Sequence, residues 1–512
     1  MKTSQTYSVF QTLIKLHFIT PKGLYRWVKS LLSEGTTLMA LLRFSAQTYP
    51  HQTALLPSDG ASLSYSELYQ RATQLAYLLQ GHYELKAGQR VGLLCRNHSM
   101  AVLLLPALSR LGVHTHLLNT EMGGEKLDEL LHKGGRYDLL ILDENLREKS
   151  LPSSLSIAFV TIENVESLLT RNLVPQGKLP RIRRGGELTV LTGGSSGHYK
   201  AASRRPSATQ FLPPLLALLR QIGIHRYRNV YIALPLYHGF GLATLITSLV
   251  MGKEILLTRH FDAEQALQAI HRHGIEVAPL VPVMLSRMLQ KSSSAEQLAS
   301  LRCIICGGDR LERKLIQETH EKLGKVVYNL YGTSEAGFFL LATPDDLERY
   351  TETTLGRPIR GVHCRLEQVS ADGVGVLWVR SGWAMQGRDK QWQATGDLMR
   401  CNQEGYYFYQ GRADQMIVSG GENIYPEVVE RTIAAHPEVF TAKVFPIPHP
   451  SFGQVLAAHV ECCNKEYPLS EEALRAWLRP RLARAEMPHR ITFGSVQLLE
   501  TGKRKSGEIP LK

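Results

Sequence analysis

Cysteine is scarce and unpatterned, with seven residues (Cys95, Cys303, Cys306, Cys364, Cys401, Cys462 and Cys463) in 512 positions. An odd, scattered set excludes the disulfide framework of small secreted domains and points to a reducing compartment, the cytoplasm. Cys303 and Cys306 have CxxC spacing, yet they lie in an apolar run and no second Cys or His pair follows at zinc-site distance. Both are therefore expected to be buried thiols. Unbroken apolar runs are missing as well. Lys15 and His17 interrupt the stretch that would have to serve as a signal peptide, so none is expected. Residues 231–251 are nearly apolar for long enough to span a bilayer, but Pro235 and His238 sit inside them and a strand, loop and helix are expected instead. Internal repeats and low-complexity tracts are absent.

What is present is an ordinary globular composition, 44% hydrophobic and 21% charged, in a chain too long for one core. A formal charge of +13 favours an anionic partner. Nucleic acid is disfavoured, because the charge is dispersed and no reader module or basic-aromatic stripe appears. Residues 9–32 mix Val9, Phe10, Leu13, Ile14, Phe18, Tyr25, Trp27, Val28 and Leu31 with Lys15, Lys22, Arg26 and Lys29, a pattern open to peripheral contact with the inner face of a membrane or to packing on the body.

Periodicity gives the organisation. Ser64 and Glu67 form a capping box before a helix carrying Leu68, Ala72, Leu75 and Leu79; strand 91–95, a helix from Ser99 and strand 139–142 follow. The alternation continues with strands at 188–191, 230–234, 275–278, 302–305 and 326–328 and with helices opened by Asp262 and near Leu311. From about residue 355 short β segments take over, and after Gly411 an α+β tail begins with a helix at Pro426, strands near 441–446 and 456–461 and a helix near 470–482. The fold class is α/β: a large multi-sheet N-terminal domain, 1–411, with a β-rich subdomain, and a small mobile α+β C-terminal domain, 412–512.

Strand 188–191 runs into Thr192-Gly193-Gly194-Ser195-Ser196-Gly197, followed by Lys200. Little Cβ bulk, exposed N–H groups, hydroxyls and a counter-charge are parts for holding a polyphosphate. No Gly-Lys-Ser/Thr closes the loop, so it is not the Walker type.

That loop resembles the T-S-G-T-T-G-x-P-K-G signature of the adenylate-forming (AMP-binding) superfamily, and the resemblance continues along the chain in family order. Leu234-Pro235-Leu236-Tyr237-His238-Gly239 resembles the histidine motif, Tyr331-Gly332-Thr333-Ser334-Glu335 the Y-G-x-T-E motif, and residues 392–397, ending Thr395-Gly396-Asp397, the W-x-x-T-G-D motif. Gly411-Arg412-Ala413-Asp414 with residues 419–426, including Gly420, Gly421 and Glu422, resembles the hinge segment as written in fatty-acyl-CoA ligases, and Thr501-Gly502-Lys503 the terminal lysine motif. The resemblance implies that ATP is held by Thr192, Gly194, Ser195, Ser196, Gly197, Lys200, Gly307, Gly308, Asp309, Tyr331, Gly332, Thr333, Ser334, Asp397 and Arg412. It implies Mg²⁺ on Glu335, His238 beside the acyl carboxylate, Lys503 (or its rival Lys505) as mobile cation, Asp414 as hinge, and Gly420, Gly421 and Glu422 along the coenzyme A channel.

The sequence departs from that pattern at Gly193, Ser195, Ser196, Tyr199, Ala201 and Gln415, and the loss of proline at 199 predicts a more mobile phosphate loop. Residues 234–252 contain no acid. A substrate ammonium would go unpaired there, which favours an uncharged tail over an amino acid. Phe240, Leu242, Val283 and Met284, with Leu280, Phe338 and Phe339, are candidate lining for an acyl chain. The expected activity is ATP-dependent conversion of a medium- or long-chain fatty acid to acyl-AMP and then to its coenzyme A thioester. An acyl-AMP ligase that loads an acyl carrier protein and a degenerate nucleotide-binding regulator are the alternatives.

Overall fold

The computed structural model describes residues 13–496 except 15–16, 58–61, 123, 134–135, 151–156, 172–177, 194–198, 205–214, 217, 292–293, 386–390, 416, 420–421, 450–452 and 464–468. Three sheets carry the chain. A six-stranded sheet is ordered Phe159–Thr161, Leu139–Leu142, Arg90–Leu94, His114–Leu117, Leu188–Gly193 and Tyr199–Arg204, all parallel except the last strand. Leu139–Leu142 is apolar at every position and buried at every position, as a strand covered on both faces of a parallel sheet must be.

A 13-stranded sheet begins with parallel strands that include Thr53–Pro57, Glu254–Leu257, Asn229–Ile232, Val277–Leu280, Cys303–Gly307 and Val327–Thr333. It continues antiparallel through Gly337–Ala342 and Thr354–Pro358 into Tyr407–Arg412, Gln393–Cys401, Val374–Ser381 and Val362–Glu367. The β-rich region is thus an extension of the parallel sheet. The smaller five-stranded sheet contains Ile417–Ser419, Glu422–Ile424, Val439–His449, Gly453–Cys462 and Arg490–Phe493. Helices Pro426–Ala434 and Glu471–Leu478 cover it, and the unit has its own core around Ile424, Val429, Val444, Leu456 and Leu474.

The capping signals act where the sequence places them. Ser64 and Glu67 form a reciprocal capping box, and Asp262 accepts from the backbone N–H of Glu264 and Gln265. The strand expected at 275–278 begins two residues later, because Gly274 turns left-handed (φ +56°) and the Ile275 N–H closes the preceding helix by donating to the Ile270 carbonyl. The strand expected at 326–328 extends to Thr333, which puts Tyr331, Gly332 and Thr333 on a strand rather than in a loop. Arg412, taken as the first residue of the second domain, still pairs with Asp397 in the large sheet. Cys303 and Cys306 are buried and free, and burial raises both thiol pKa values, that of Cys306 to about 12. Among the described residues no helix is long and apolar enough to cross a membrane.

Candidate active site

Strands of both large sheets end near one another, and the segments that leave their C-terminal edges build the site. After Asn229–Ile232 the chain turns through residues 233–238 and His238 becomes the N-cap of helix Gly239–Val250. This turn is clamped from the other sheet. Asn97, which follows strand Arg90–Leu94 and is 3% exposed, donates from Nδ2 to the Leu234 carbonyl at 2.9 Å and accepts the Leu236 N–H on Oδ1 at 2.9 Å. Gly241 lets the helix sit against the same turn, since a Cβ there would lie 2.4 Å from the Pro235 oxygen and 2.8 Å from that of Leu234. Beside Asn97, buried Asp143 accepts the Arg96 N–H at 2.9 Å and contacts His98 Nε2 at 2.8 Å. His98 Nδ1 accepts the Ala101 N–H at 3.2 Å, so its proton sits on Nε2 and is donated to Asp143.

A second group lies along Val327–Thr333 and Gln393–Cys401. The Tyr331 hydroxyl donates to Asp397 in a short hydrogen bond, and its ring meets Phe339 edge-on at 5.2 Å. Asp397 Oδ1 accepts from Arg412 Nη1 at 3.2 Å, while Arg412 Nε and Nη2 grip Asp414 in a fork of two 3.0 Å bonds. Burial pushes the Asp397 carboxyl up, against the opposing pull of the Tyr331 hydroxyl and the Arg412 guanidinium. Hydrogen bonding to Asp414 holds Arg412 firmly charged. Gly396 adopts φ +77°, a conformation that favours glycine, and its missing Cβ would stand 3.1 Å from Arg412 Nη2, so a side chain there would also press on the guanidinium.

Gly307 ends strand Cys303–Gly307 with its Cα against the neighbouring strand, where a Cβ would be 2.7 Å from the Leu330 oxygen; Gly308 follows at φ +82°. Asp309 accepts the Arg310 N–H at 2.7 Å. Glu335 sits in the turn after Thr333, where its carbonyl accepts the Met385 N–H at 2.7 Å and Thr333 Oγ1 accepts the Ala336 N–H at 3.1 Å. Gly332 packs too tightly against Gly337 and Phe338 backbone to admit a side chain.

Thr192 and Lys200 face each other across a hairpin, with Gly193 opposite Tyr199. The phosphate-loop sequence therefore joins two antiparallel strands rather than a strand and a helix. Gly194, Ser195, Ser196, Gly197, Gly420, Gly421, Lys503 and Lys505 lie outside the described residues, and Glu422 is placed only as the first residue of strand Glu422–Ile424. Of the acyl-lining candidates, Phe240 and Val283 are half-buried, whereas Leu242 at 7% and Met284 at 1% exposure are packed into core clusters. Leu280 and Phe339 are fully buried, and Phe338 is half-buried beside Trp383.

Residues 42–387 match the family described as AMP-binding enzyme, and residues 428–505 match the AMP-binding enzyme C-terminal domain. The chain belongs to the AMP-binding enzyme family.

Similar curated proteins include the 2-succinylbenzoate–CoA ligases of Bacillus velezensis, 27% identical over 86% of this chain and 91% of that protein, and of Geobacillus kaustophilus, 28% identical over 90% and 94%. Among solved structures, the fold matches o-succinylbenzoate CoA synthetase (MenE) from Bacillus subtilis in complex with its acyl-adenylate intermediate (TM-score 0.76, 24% identity, 92% of this chain and 99% of that one). It also matches ATP-bound MatB from Rhodopseudomonas palustris (TM-score 0.79, 23% identity, 91% and 97%). Sequence reasoning singled out neither Asn97 nor the Asp143–His98 pair. A polar residue just beyond a buried parallel strand was the available signal.

Proposed function

We propose that this enzyme uses ATP to convert a carboxylic acid to an acyl-adenylate with release of pyrophosphate, then transfers the acyl group to the thiol of coenzyme A. The observation that carries this reading is the linked set Tyr331–Asp397–Arg412–Asp414. A buried carboxylate held by a hydroxyl and a guanidinium is suited to accept ribose hydroxyls. Glu335, whose carboxylate has no partner among the described residues, fits Mg²⁺, a hard cation that keeps several waters and needs few protein oxygens. When bound there, the ion would neutralise charge on the phosphates.

In the first step a substrate carboxylate oxygen attacks the α-phosphorus and the bond to pyrophosphate breaks. His238, held by the Asn97 clamp, positions that carboxylate, and Lys503 supplies positive charge as charge gathers on the phosphorus oxygens. In the second step the thiol sulfur attacks the acyl carbon and AMP leaves. We assign the changeover to rotation, about Asp414, of the smaller unit that follows it.

For the acid, we replace the fatty-acid expectation with an aromatic carboxylic acid of the 2-succinylbenzoate type. The named relatives are 2-succinylbenzoate–CoA ligases, and the match with them covers 86% and 90% of this chain. Leu242, Leu280 and Met284, aliphatic residues that would line a chain, are spent on core packing, and of the half-buried candidates Phe240, Val283 and Phe338 two are aromatic. Coenzyme A as acceptor also agrees with those relatives' names. The test is acid-dependent pyrophosphate release across 2-succinylbenzoate, benzoate and saturated fatty acids. Release selective for 2-succinylbenzoate is expected, and selectivity for a long-chain fatty acid would overturn the assignment.

A further inference from the structure

Helix Pro21–Glu34 turns its apolar side outward. Among the described residues the exposed large hydrophobics are Ile14, Leu24, Tyr25, Val28, Leu31, Leu32, Phe159 and Val369, so most belong to this one helix; Leu32 is 83% and Tyr25 66% exposed. At 100° per residue Leu31, Leu24, Val28, Leu32 and Tyr25 form one continuous stripe, and Lys29, Lys22 and Arg26 line one edge of it.

The opposite side fastens the helix to the body. The Trp27 ring stacks on Phe44 at 4.1 Å, and Phe18 stacks on Phe44 at 5.5 Å. Glu34 is buried and bonded to Arg43 at 2.7 Å, Arg110 at 2.7 Å and the Tyr69 hydroxyl at 2.8 Å. Gly23 lies so close to the His17 carbonyl that no side chain fits there, and Thr20 caps the first turn. The outward stripe is therefore a fixed surface of the folded protein and not a helix waiting to turn inward.

We propose that this helix is a peripheral docking surface for an anionic phospholipid bilayer. Charge selects the occupant: the helix's one acid, Glu34, is buried and paired, which leaves its exposed surface apolar and cationic on a chain of net charge +13. Fourteen residues extend about 21 Å, too short to cross a hydrocarbon core of about 30 Å but suited to lie in the headgroup plane with the apolar stripe inserted and the cations at phosphate level. Lys29 Nζ stands 5.9 Å from the Tyr25 ring, an aromatic and a cation side by side as at a membrane–water boundary.

The test is sedimentation of the full chain with vesicles of phosphatidylcholine alone or mixed equally with phosphatidylglycerol. Binding to the anionic vesicles is expected, weakened by added salt, and at least about tenfold weaker for Leu24→Gln/Val28→Gln/Leu32→Gln and for Lys22→Glu/Lys29→Glu. Both variants keep an exposed face exposed, so pyrophosphate release in solution stays at the wild-type rate. If the apolar variant does not fold, the charge variant and the salt response decide. Wild-type protein that ignores both vesicle types, or binds equally well after either set of substitutions, overturns the proposal. So does a self-association in vesicle-free sedimentation velocity that the apolar substitutions abolish, which would give the face to a second copy.

Discussion

Replacing Asn97 with leucine should damage the site from a distance. The side chain is of similar size but can neither donate to the Leu234 carbonyl nor accept the Leu236 N–H, and both partners lie on a buried turn. Each of the two orphaned buried groups costs about 1–3 kcal/mol, and the added apolar surface returns about 1 kcal/mol, for a net loss of about 1–5 kcal/mol. Part of that loss is relieved if the turn shifts to find water. Any such shift moves His238, two residues beyond Leu236 and at the mouth of helix Gly239–Val250.

The expected result is a lowered first denaturation midpoint together with at least about a tenfold fall in kcat/KM for the acid, at 1.4 kcal/mol per decade, while KM for ATP changes little. Asn97→Asp separates the two contacts, since it keeps an acceptor for Leu236 but sets a carboxylate against the Leu234 carbonyl. It should be at least as impaired. Denaturant titration of the variants and pyrophosphate-release kinetics with each substrate varied supply the numbers. Wild-type stability with wild-type kinetics for Asn97→Leu would refute the clamp, and equal losses in acid and ATP parameters would reduce it to a general structural role.

Gly241→Ala should lose about 1–3 kcal/mol, read from the same titration, because its Cβ meets backbone oxygen that cannot yield, whereas Gly239→Ala, with nothing within 4 Å, should be neutral or slightly stabilising. Asp397→Asn should raise KM for ATP by about tenfold or more, since the carboxylate proposed to accept ribose hydroxyls is replaced by a half-donor. Burial raises the Asp397 pKa in the folded protein, so the folded state holds its proton at a pH where the unfolded chain has released it; its contribution to stability falls as pH rises through the interval between the ordinary carboxylate value and the raised one, and ATP binding weakens as pH descends into that interval. Arg412→Ala removes a group that pulls this pKa down, and the acid limb of a pH profile of KM for ATP should move to higher pH. Glu352→Gln should increase protease cleavage near residues 413–415, because its carboxylate joins Arg400 and Gln410 of the large sheet to Arg431 of the smaller unit.

Much of the fold was legible because its signals are local. A capping box spans four residues, and an all-apolar strand such as Leu139–Leu142 declares its burial by composition. Boundaries slipped where a tertiary bond competed with the pattern. Ile275 has the apolar character of a strand residue, but its N–H closes the helix before it. The motif residues of the site could be named from their order in the chain. Their contacts could not: Tyr331 bonds across 66 positions to Asp397, and Asn97 reaches 137 and 139 positions to its turn. Leu242 reads as a lining residue from its place after His238, yet on the helix it falls on the inward side, and the expectation of an aliphatic channel rested on such positions.

The placement of the site explains why two sheets are needed. The Val327–Thr333 and Gln393–Cys401 strands, which carry the proposed ribose-binding pair Tyr331 and Asp397, belong to one continuous sheet, whereas the phosphate-loop strands Leu188–Gly193 and Tyr199–Arg204 belong to the other. The histidine turn cannot keep its geometry alone, since its carbonyl at Leu234 and its N–H at Leu236 are satisfied by a side chain of the six-stranded sheet. Asn97 is itself positioned by a segment that Asp143 pins through the Arg96 N–H and His98. On the proposed reading the acid therefore meets a turn whose geometry both sheets hold, and the ribose of ATP meets a surface built from one. Substitutions in the six-stranded sheet near residues 96–98 and 143 should consequently separate recognition of the acid from recognition of ATP, as substitutions at Tyr331 or Asp397 cannot.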